Sequence, residues 1–305
     1  MSVWFITFHG GGYPCKTPAS PAQSYTGSIN TLAGLILSGP LPQMQELRGS
    51  AIDASGNLYL ANAYKNLSQI LQFQPAGSGT YVSSTSNPWA GSGLEHPFDL
   101  AFDSGGNLYA SNQDMASKAT SLAVTWYDSK GNYKGVFVPN PQATPPGPDL
   151  LQLRGIAWDG NNTWYVADEE GDSNGQGAKG TGAVYMYQNN GNYIGAVAVT
   201  DPIHLLYYQG YLFIGSGSGN MIYCYNTSSG GAVTGLLQKI SPGITINEVS
   251  GMAIPGDGYL YFGNRLNLQV LRFPLQMSSP PQATGGEVFF DQLPDFPEFI
   301  RLLDV

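Results

Sequence analysis

Two arginines, three histidines and a few carboxylates are the groups in this sequence best suited to chemistry. Arg48 and Arg154 each sit in a Leu-Arg-Gly tripeptide, at 47–49 and 153–155. A guanidinium suits a carboxylate or phosphate through two parallel hydrogen bonds; the alternative is pairing within the chain, with Glu46, Asp99 or Glu298. His9, His96 and His204 are the only histidines, and catalytic zinc is commonly held by three protein ligands plus an open water position. Their sequence contexts differ, however, and Zn–N bonds of about 2.0 Å tolerate little scatter. His204, Glu298 and Asp99 are the candidate catalytic acids and bases. Arg48 and Arg154, with Asn62, Asn112, Asp168, Asn264 and His9, form the candidate substrate-binding set. The Asn/Asp members have a plainer reading, as acceptors of backbone N–H groups where the chain turns. Glu170-x-Asp172-x-Asn174-Gly175 opens like a calcium loop, but its twelfth position is Thr181, where a bidentate Glu would be needed. It reads as a solvated acidic loop. No nucleophile elbow, P-loop or dinucleotide fingerprint occurs.

What must position these groups is a repeat of about fifty residues. LRGSAIDASGNLYLAN (47–62), PFDLAFDSGGNLYASN (97–112), LRGIAWDGNNTWYVAD (153–168), PIHLLYYQGYLFIGS (202–216) and VSGMAIPGDGYLYFGN (249–264) share a short apolar run, a turn and an alternating run. With Gly49, Asp99, Gly155, His204 and Gly251 equivalent, the steps are 50, 56, 49 and 47 residues. PEFIRLLDV (297–305) begins a sixth copy, whose second strand is supplied by SVWFITFH (2–9). Further strand-like runs follow each copy, joined by Asn-Gly or Lys-Gly pairs that supply the positive φ of tight hairpins. The pattern predicts an all-β fold: one domain over 1–305, a six-bladed β-propeller of four-stranded antiparallel blades, the last blade closed by both termini. Small residues at 51, 101, 157 and 253, all Ala, suit crowded inner strands, while Trp126, Tyr187 and Phe273 fill the wider outer part. Asp53, Asp103 and Asp159 read as turn residues.

Composition bounds the partners. With 12 Lys+Arg against 21 Asp+Glu the net charge is -9, so a nucleic-acid backbone is excluded. No apolar run reaches the ~18 residues of a membrane span. Two cysteines make no disulfide framework; Cys224 reads as core and Cys15 as a loop residue. Residues 1–8 are no signal peptide, so a cytoplasmic location is expected unless a leader has been removed.

The repeat resembles the NHL family, whose units carry a Pro-x-Gly-hydrophobic-Ala-hydrophobic-Asp start and a Gly-Asn-Leu-Tyr-Val-Ala-Asp centre. That resemblance implies the propeller and leaves the activity open. Related amidating lyases place zinc-binding His directly after the Pro in alternate blades. Here those slots hold Arg48, Phe98, Arg154, Ile203, Ser250 and Glu298, which does not support that activity. Gluconolactonase/regucalcin-like propellers bind a divalent metal in the channel; Glu298 fits one acidic slot, but the Pro-Asn-Gly and Pro-Asp-Gly motifs are absent.

Strand starts and second-strand ends meet at one mouth of the channel, and the long connections 10–23, 83–96, 112–121, 139–152 and 169–181 fall on that face. Chemistry is expected there. The expected function is an enzyme acting on a small anionic molecule, of hydrolase, lyase or cyclase type. The alternative is an NHL-type scaffold binding a protein or glycan across the looped face. Scaffolding NHL units are usually attached to other domains, and a chain that is propeller throughout favours the enzyme.

Overall fold

The structure, a computed structural model, describes residues 2–9, 22–25, 32–34, 37–39, 42, 44 and 46–304, apart from 64–66, 78–79, 114–121, 141, 144–146, 173–179, 229 and 231–232. Cys15, most of the 10–23 connection and residues 173–179 of the acidic 170–181 loop lie outside the described residues.

Local turn chemistry sets the register of the inner hairpins. Asp53 accepts the backbone N–H groups of Ser55 and Asn57 on one oxygen, and the Asn57 amide and Tyr59 hydroxyl on the other. Asp103 repeats the device with Gly105, Asn107 and Tyr109, and Asp159 accepts from Asn161, Asn162 and Thr163. Each carboxylate replaces water for a turn's free amides, so the flanking strands pair without slipping: Ile52 opposite Leu58, Phe102 opposite Leu108, Trp158 opposite Trp164.

Among the described residues there is no α-helix, and the strands pair into six sheets. From the inside outward, sheet 1 runs Leu47–Ile52, Leu58–Asn62, Gln69–Gly77 and Thr80–Ser83. Sheet 2 runs Pro97–Phe102, Leu108–Asn112, Val124–Tyr127 and Tyr133–Val138; sheet 3 runs Leu153–Trp158, Thr163–Asp168, Ala183–Gln188 and Tyr193–Ala198. Sheet 4 comprises Pro202–Tyr208, Tyr211–Ser216, Met221–Asn226 and Thr234–Gly235, and sheet 5 comprises Val249–Ala253, Tyr259–Asn264, Gln269–Gln276 and Glu287–Phe290. In sheet 6 the C-terminal Pro297–Asp304 is innermost and pairs with Ser2–Phe8, followed by Ala22–Tyr25 and Leu32–Gly34. The molecule is an all-β propeller of four-stranded antiparallel blades. Two outer edges carry additions: Leu37–Ser38 lies parallel to Thr80–Ser83, and Gln282–Gly285 lies parallel to Leu237–Ile240. The excursion at 274–285 thus ends in a strand that covers a sheet edge.

The seams between sheets alternate in construction. A Cβ on Gly49 would stand 2.6 Å from the Asp99 Cα, one on Gly155 2.8 Å from the Leu205 nitrogen, and one on Gly251 2.5 Å from the Phe299 Cα. At those three seams backbone meets backbone, and only glycine fits. The other three are held by side-chain bonds without such a glycine, and one bond of that kind, from Ser250 Oγ to the Pro297 carbonyl (2.7 Å), also crosses the Gly251 seam. Asp99 Oδ2 accepts the Ile156 N–H (3.0 Å) and Ser111 Oγ donates to the Arg154 carbonyl (2.6 Å). His204 Nδ1 accepts the Met252 N–H (3.2 Å). Thr7 Oγ1 donates to the Arg48 carbonyl (2.9 Å), and Arg301 donates to the Ser50 carbonyl and hydroxyl (2.5 and 3.1 Å). Farther out, aromatic residues such as Trp164, Tyr185, Tyr187 and Phe273 are fully buried.

The glycine seams yield a direct test. Gly251→Ala forces sheets 5 and 6 apart and should lower stability by about 3 kcal/mol or more. Gly91→Ala, where an added Cβ meets no heavy atom within 4 Å, should be near neutral in the same urea titration. Equal midpoints for the two variants would contradict the close-packed seam.

Candidate functional site

On the looped face the residues expected to form an open mouth are instead packed into one another. Arg48 donates to Glu298 (2.8 Å) and Glu46 (2.6 Å), and its Nη2 lies 3.2 Å from His9 Nε2. His96 Nε2 is 3.0 Å from the same Glu46 oxygen. Glu298 also accepts from Arg265 Nε (2.9 Å), and Arg265 donates on to Glu248 (2.6 Å). Arg154 pairs with Glu169. Both Arg48 and Arg154 lie over the Phe98 ring, at 5.6 and 5.2 Å from its centroid. Burial alone would raise the Glu298 carboxyl, but Arg48 and Arg265 hold it down at about 2. Burial lowers the Arg154 pKa against the pull of Glu169. Of the two roles open to these arginines, the structure shows pairing within the chain. Their forks are engaged by Glu46, Glu298 and Glu169, while Asp99 turns to backbone amides.

The repeated Asn/Asp position has a clear task. Asn112 accepts the Glu95 N–H and donates to the Ala123 carbonyl; Asp168 accepts from Leu151, Gln152 and Glu170; Asn264 accepts the Asn247 N–H and donates to the Thr245 carbonyl. Each pins the segment leading into its sheet's inner strand. Asn62, Asn112, Asp168 and Asn264 are all at most 1% exposed. The three histidines do not converge: His9 and His96 flank the Arg48–Glu46 pair, whereas His204 lies elsewhere. Among the described residues no group of three His, Cys, Asp or Glu is placed to hold a metal.

An open space lies at the other end of the channel. Inner strands run away from the looped face, and their later residues enclose a cavity of about 510 Å³ lined by Asp99, His204, Phe299 and Arg301 among others. Asp99, His204 and Phe299 are equivalent repeat positions on sheets 2, 4 and 6, the partners of the three seam glycines. Because a backbone N–H can only donate, the Met252 contact fixes the neutral His204 with its hydrogen on Nε2. Burial, with the positive charge of Arg301, pushes His204 down to about 3. Asp99 accepts the Leu100 N–H on one oxygen (2.8 Å) and the Ile156 N–H on the other (3.0 Å). Burial still pushes it up to about 7 against those amides and Arg301. Arg301 donates to Ser50 and feels the charge of Asp99 across the cavity, yet among the described residues no carboxylate stands within ion-pair distance of it.

Arg301 was missed by sequence reasoning, although a signal existed. It falls at the repeat position of Ala51, Ala101, Ala157, Leu206 and Ala253. Its partner Ser50 stands where the other copies have Leu100, Ile156, Leu205, Met252 and Ile300. One seam has exchanged an apolar pair for a polar one.

No family model matches the chain, and no curated protein matches it significantly. Solved structures do. One is a nidogen/laminin complex, with TM-score 0.66 and 13% identity, covering 99% of this chain and 98% of that one. Another is a candidate 6-phosphogluconolactonase of Bacteroides fragilis, with TM-score 0.59 and 13% identity over 94% and 82%. A third is the virginiamycin B lyase of Staphylococcus aureus, with TM-score 0.48 and 15% identity over 74% and 66%. At such identities the likeness shows the propeller fold alone.

The ion network gives a pH-dependent prediction. A carboxylate held near 2 when folded and near 4.5 when unfolded stabilises the fold above pH 4.5, and that contribution is lost as pH falls toward 2. Glu298→Gln should cost about 3–5 kcal/mol at pH 7 by leaving Arg48 and Arg265 underpaired. It should also flatten the fall in urea midpoint between pH 4.5 and 2. An unchanged acid limb would remove Glu298 from that role.

Proposed function

We propose that the channel cavity is the active site of an enzyme acting on a small anionic molecule by acid–base chemistry, of hydrolase or lyase type. The observation that supports this most is Arg301. A guanidinium in a cavity wall that donates to Ser50 and, among the described residues, has no carboxylate within ion-pair distance is a fixed positive charge available to a ligand. In a chain of net charge -9 an anion site must be made locally in this way. Asp99 then supplies the proton-transfer group, because a carboxyl near 7 can both give and take a proton at neutral pH. His204, neutral with its hydrogen on Nε2, is a hydrogen-bond donor for a developing oxyanion. Glu298, Arg48 and Arg154 serve this site indirectly, by fixing the strand starts above it.

The reading includes the ring itself. Each inner strand contacts the inner strands of two other sheets, and Pro297–Asp304 of sheet 6 lies against Leu47–Ile52 of sheet 1. That continuity supports a single six-bladed NHL-like propeller over 1–305. No helix among the described residues is long and apolar enough to cross a membrane, and the acidic balance argues against nucleic acid.

Calorimetric titration with acetate, benzoate and inorganic phosphate tests the site. Arg301→Met should weaken whichever of these binds by about ten- to a hundred-fold, the worth of a charge-assisted hydrogen bond, and Arg301→Lys should restore it in part. Arg272→Gln, in the third strand of sheet 5 and not in the cavity lining, should leave binding unchanged. A benzoate-soaked crystal of the unaltered protein provides a readout independent of any variant, with the carboxylate expected against Arg301. Binding indifferent to Arg301, or no binding by any of the three, would overturn the channel reading.

A further inference from the structure

We propose that this site takes a monocarboxylate together with a proton: the ligand carboxylate lies on Arg301 and shares a hydrogen bond with Asp99 in its acid form. The inference rests on the channel reading above and adds the ligand class and its coupling to pH. Its basis is the spacing of three groups. Asp99, His204 and Arg301 come from sheets 2, 4 and 6 and line one cavity. Arg301 influences the protonation of both the others, yet it makes no ion pair and no hydrogen bond with either. Both charges border one cavity without pairing, and a small planar anion in that cavity would join them.

The surroundings of Asp99 leave few other sources of compensation. Its own strand offers the Leu100 N–H, and sheet 3 offers the Ile156 N–H. Sheet 1 approaches with Gly49, which has no side chain. Across the cavity stand His204, which stays neutral, and Arg301; Tyr207 is the one other ionisable group in the lining. Entry of an anion therefore places two negative charges against a single guanidinium in a partly desolvated space. Two carboxylates that share a site do not both stay ionised. Because Asp99 is already raised to about 7 by burial, a second carboxylate raises it further, and one proton comes from solvent. The balance is simple: ligand carboxylate, Asp99 carboxylate and one proton give a single acid–carboxylate pair, with no bond to carbon made or broken. A carboxylate fits best, because it is basic enough to accept the Asp99 proton and leaves no excess charge. A phosphate dianion would bring a second negative charge that nothing in the lining neutralises.

Benzoate binding measured by calorimetry, in phosphate-free buffers of different ionisation enthalpy, reads the proton directly. Near pH 8 the expected uptake approaches one proton per benzoate. Affinity should be flat below about pH 6 and fall by up to ten-fold per pH unit above 7. Asp99→Asn should bind benzoate without proton uptake and without that slope. If this variant fails to fold, the buffer series on the unaltered protein decides alone. Benzoate held by Arg301 with no proton taken up would overturn the coupling and leave the channel reading standing. No binding of benzoate, or binding untouched by Arg301→Met, would overturn both.

Discussion

Inner strands gathered around one axis have too little room to separate themselves with side chains, and the whole molecule is arranged around that shortage. The chain resolves it by alternation. At Gly49, Gly155 and Gly251 one strand gives up its side chain so that its neighbour's backbone can approach. The neighbour keeps its own residue at the equivalent position, which yields Asp99, His204 and Phe299 from alternate sheets. A ring of equivalent repeats thereby becomes a ring of pairs, and those three side chains collar the channel. The cavity begins at the collar, so its chemistry follows from the packing rule that sets the seams.

The same crowding separates two sets of charges. Above the collar, Arg48, Arg265 and Arg154 are each tied to a carboxylate, with Glu298 shared between the first two. Such a network has little left for a ligand: displacing any member strands a buried charge, which costs more than a new contact returns. Below the collar the balance differs. Arg301 has a serine where the arginines of the other face have carboxylates, and Asp99 is satisfied by amides. Charge that is fully paired holds the fold, and charge that is held in place but unpaired remains available for binding.

Much of the fold was legible because β-propeller repeats write their geometry locally. The Asp-turn-Gly-Asn-Leu-Tyr pattern gives hairpin register, and the incomplete copy at 297–305 pointed to its partner strand at 2–9. The end of the channel that holds the cavity was not legible. Long loops drew attention to the face of Arg48 and Arg154, but whether a guanidinium is engaged depends on Glu46, Glu169 and Glu298, two to 250 residues away in sequence. No spacing rule reports such encounters. Arg301 was within reach as the one basic residue in a column of Ala51, Ala101, Ala157 and Ala253. The column is hard to see at that point because PEFIRLLDV is not followed by the second-strand pattern that aligns the other copies.

The contrast between Asp99 and His204 shows how one environment assigns opposite roles. Burial penalises whichever form is charged, so it favours the protonated carboxyl and the deprotonated imidazole. Arg301 opposes the first effect and reinforces the second, which leaves Asp99 near 7 and His204 near 3. An imidazole is often taken for the proton-transfer group because its unperturbed pKa lies near neutrality. In this channel that assignment is reversed. The imidazole is locked by the Met252 amide into a neutral donor, and the carboxyl is the group whose proton can come and go near neutral pH. Moving Arg301 away would return Asp99 still closer to its acid form and relieve His204, so one arginine sets the protonation of both groups in opposite senses.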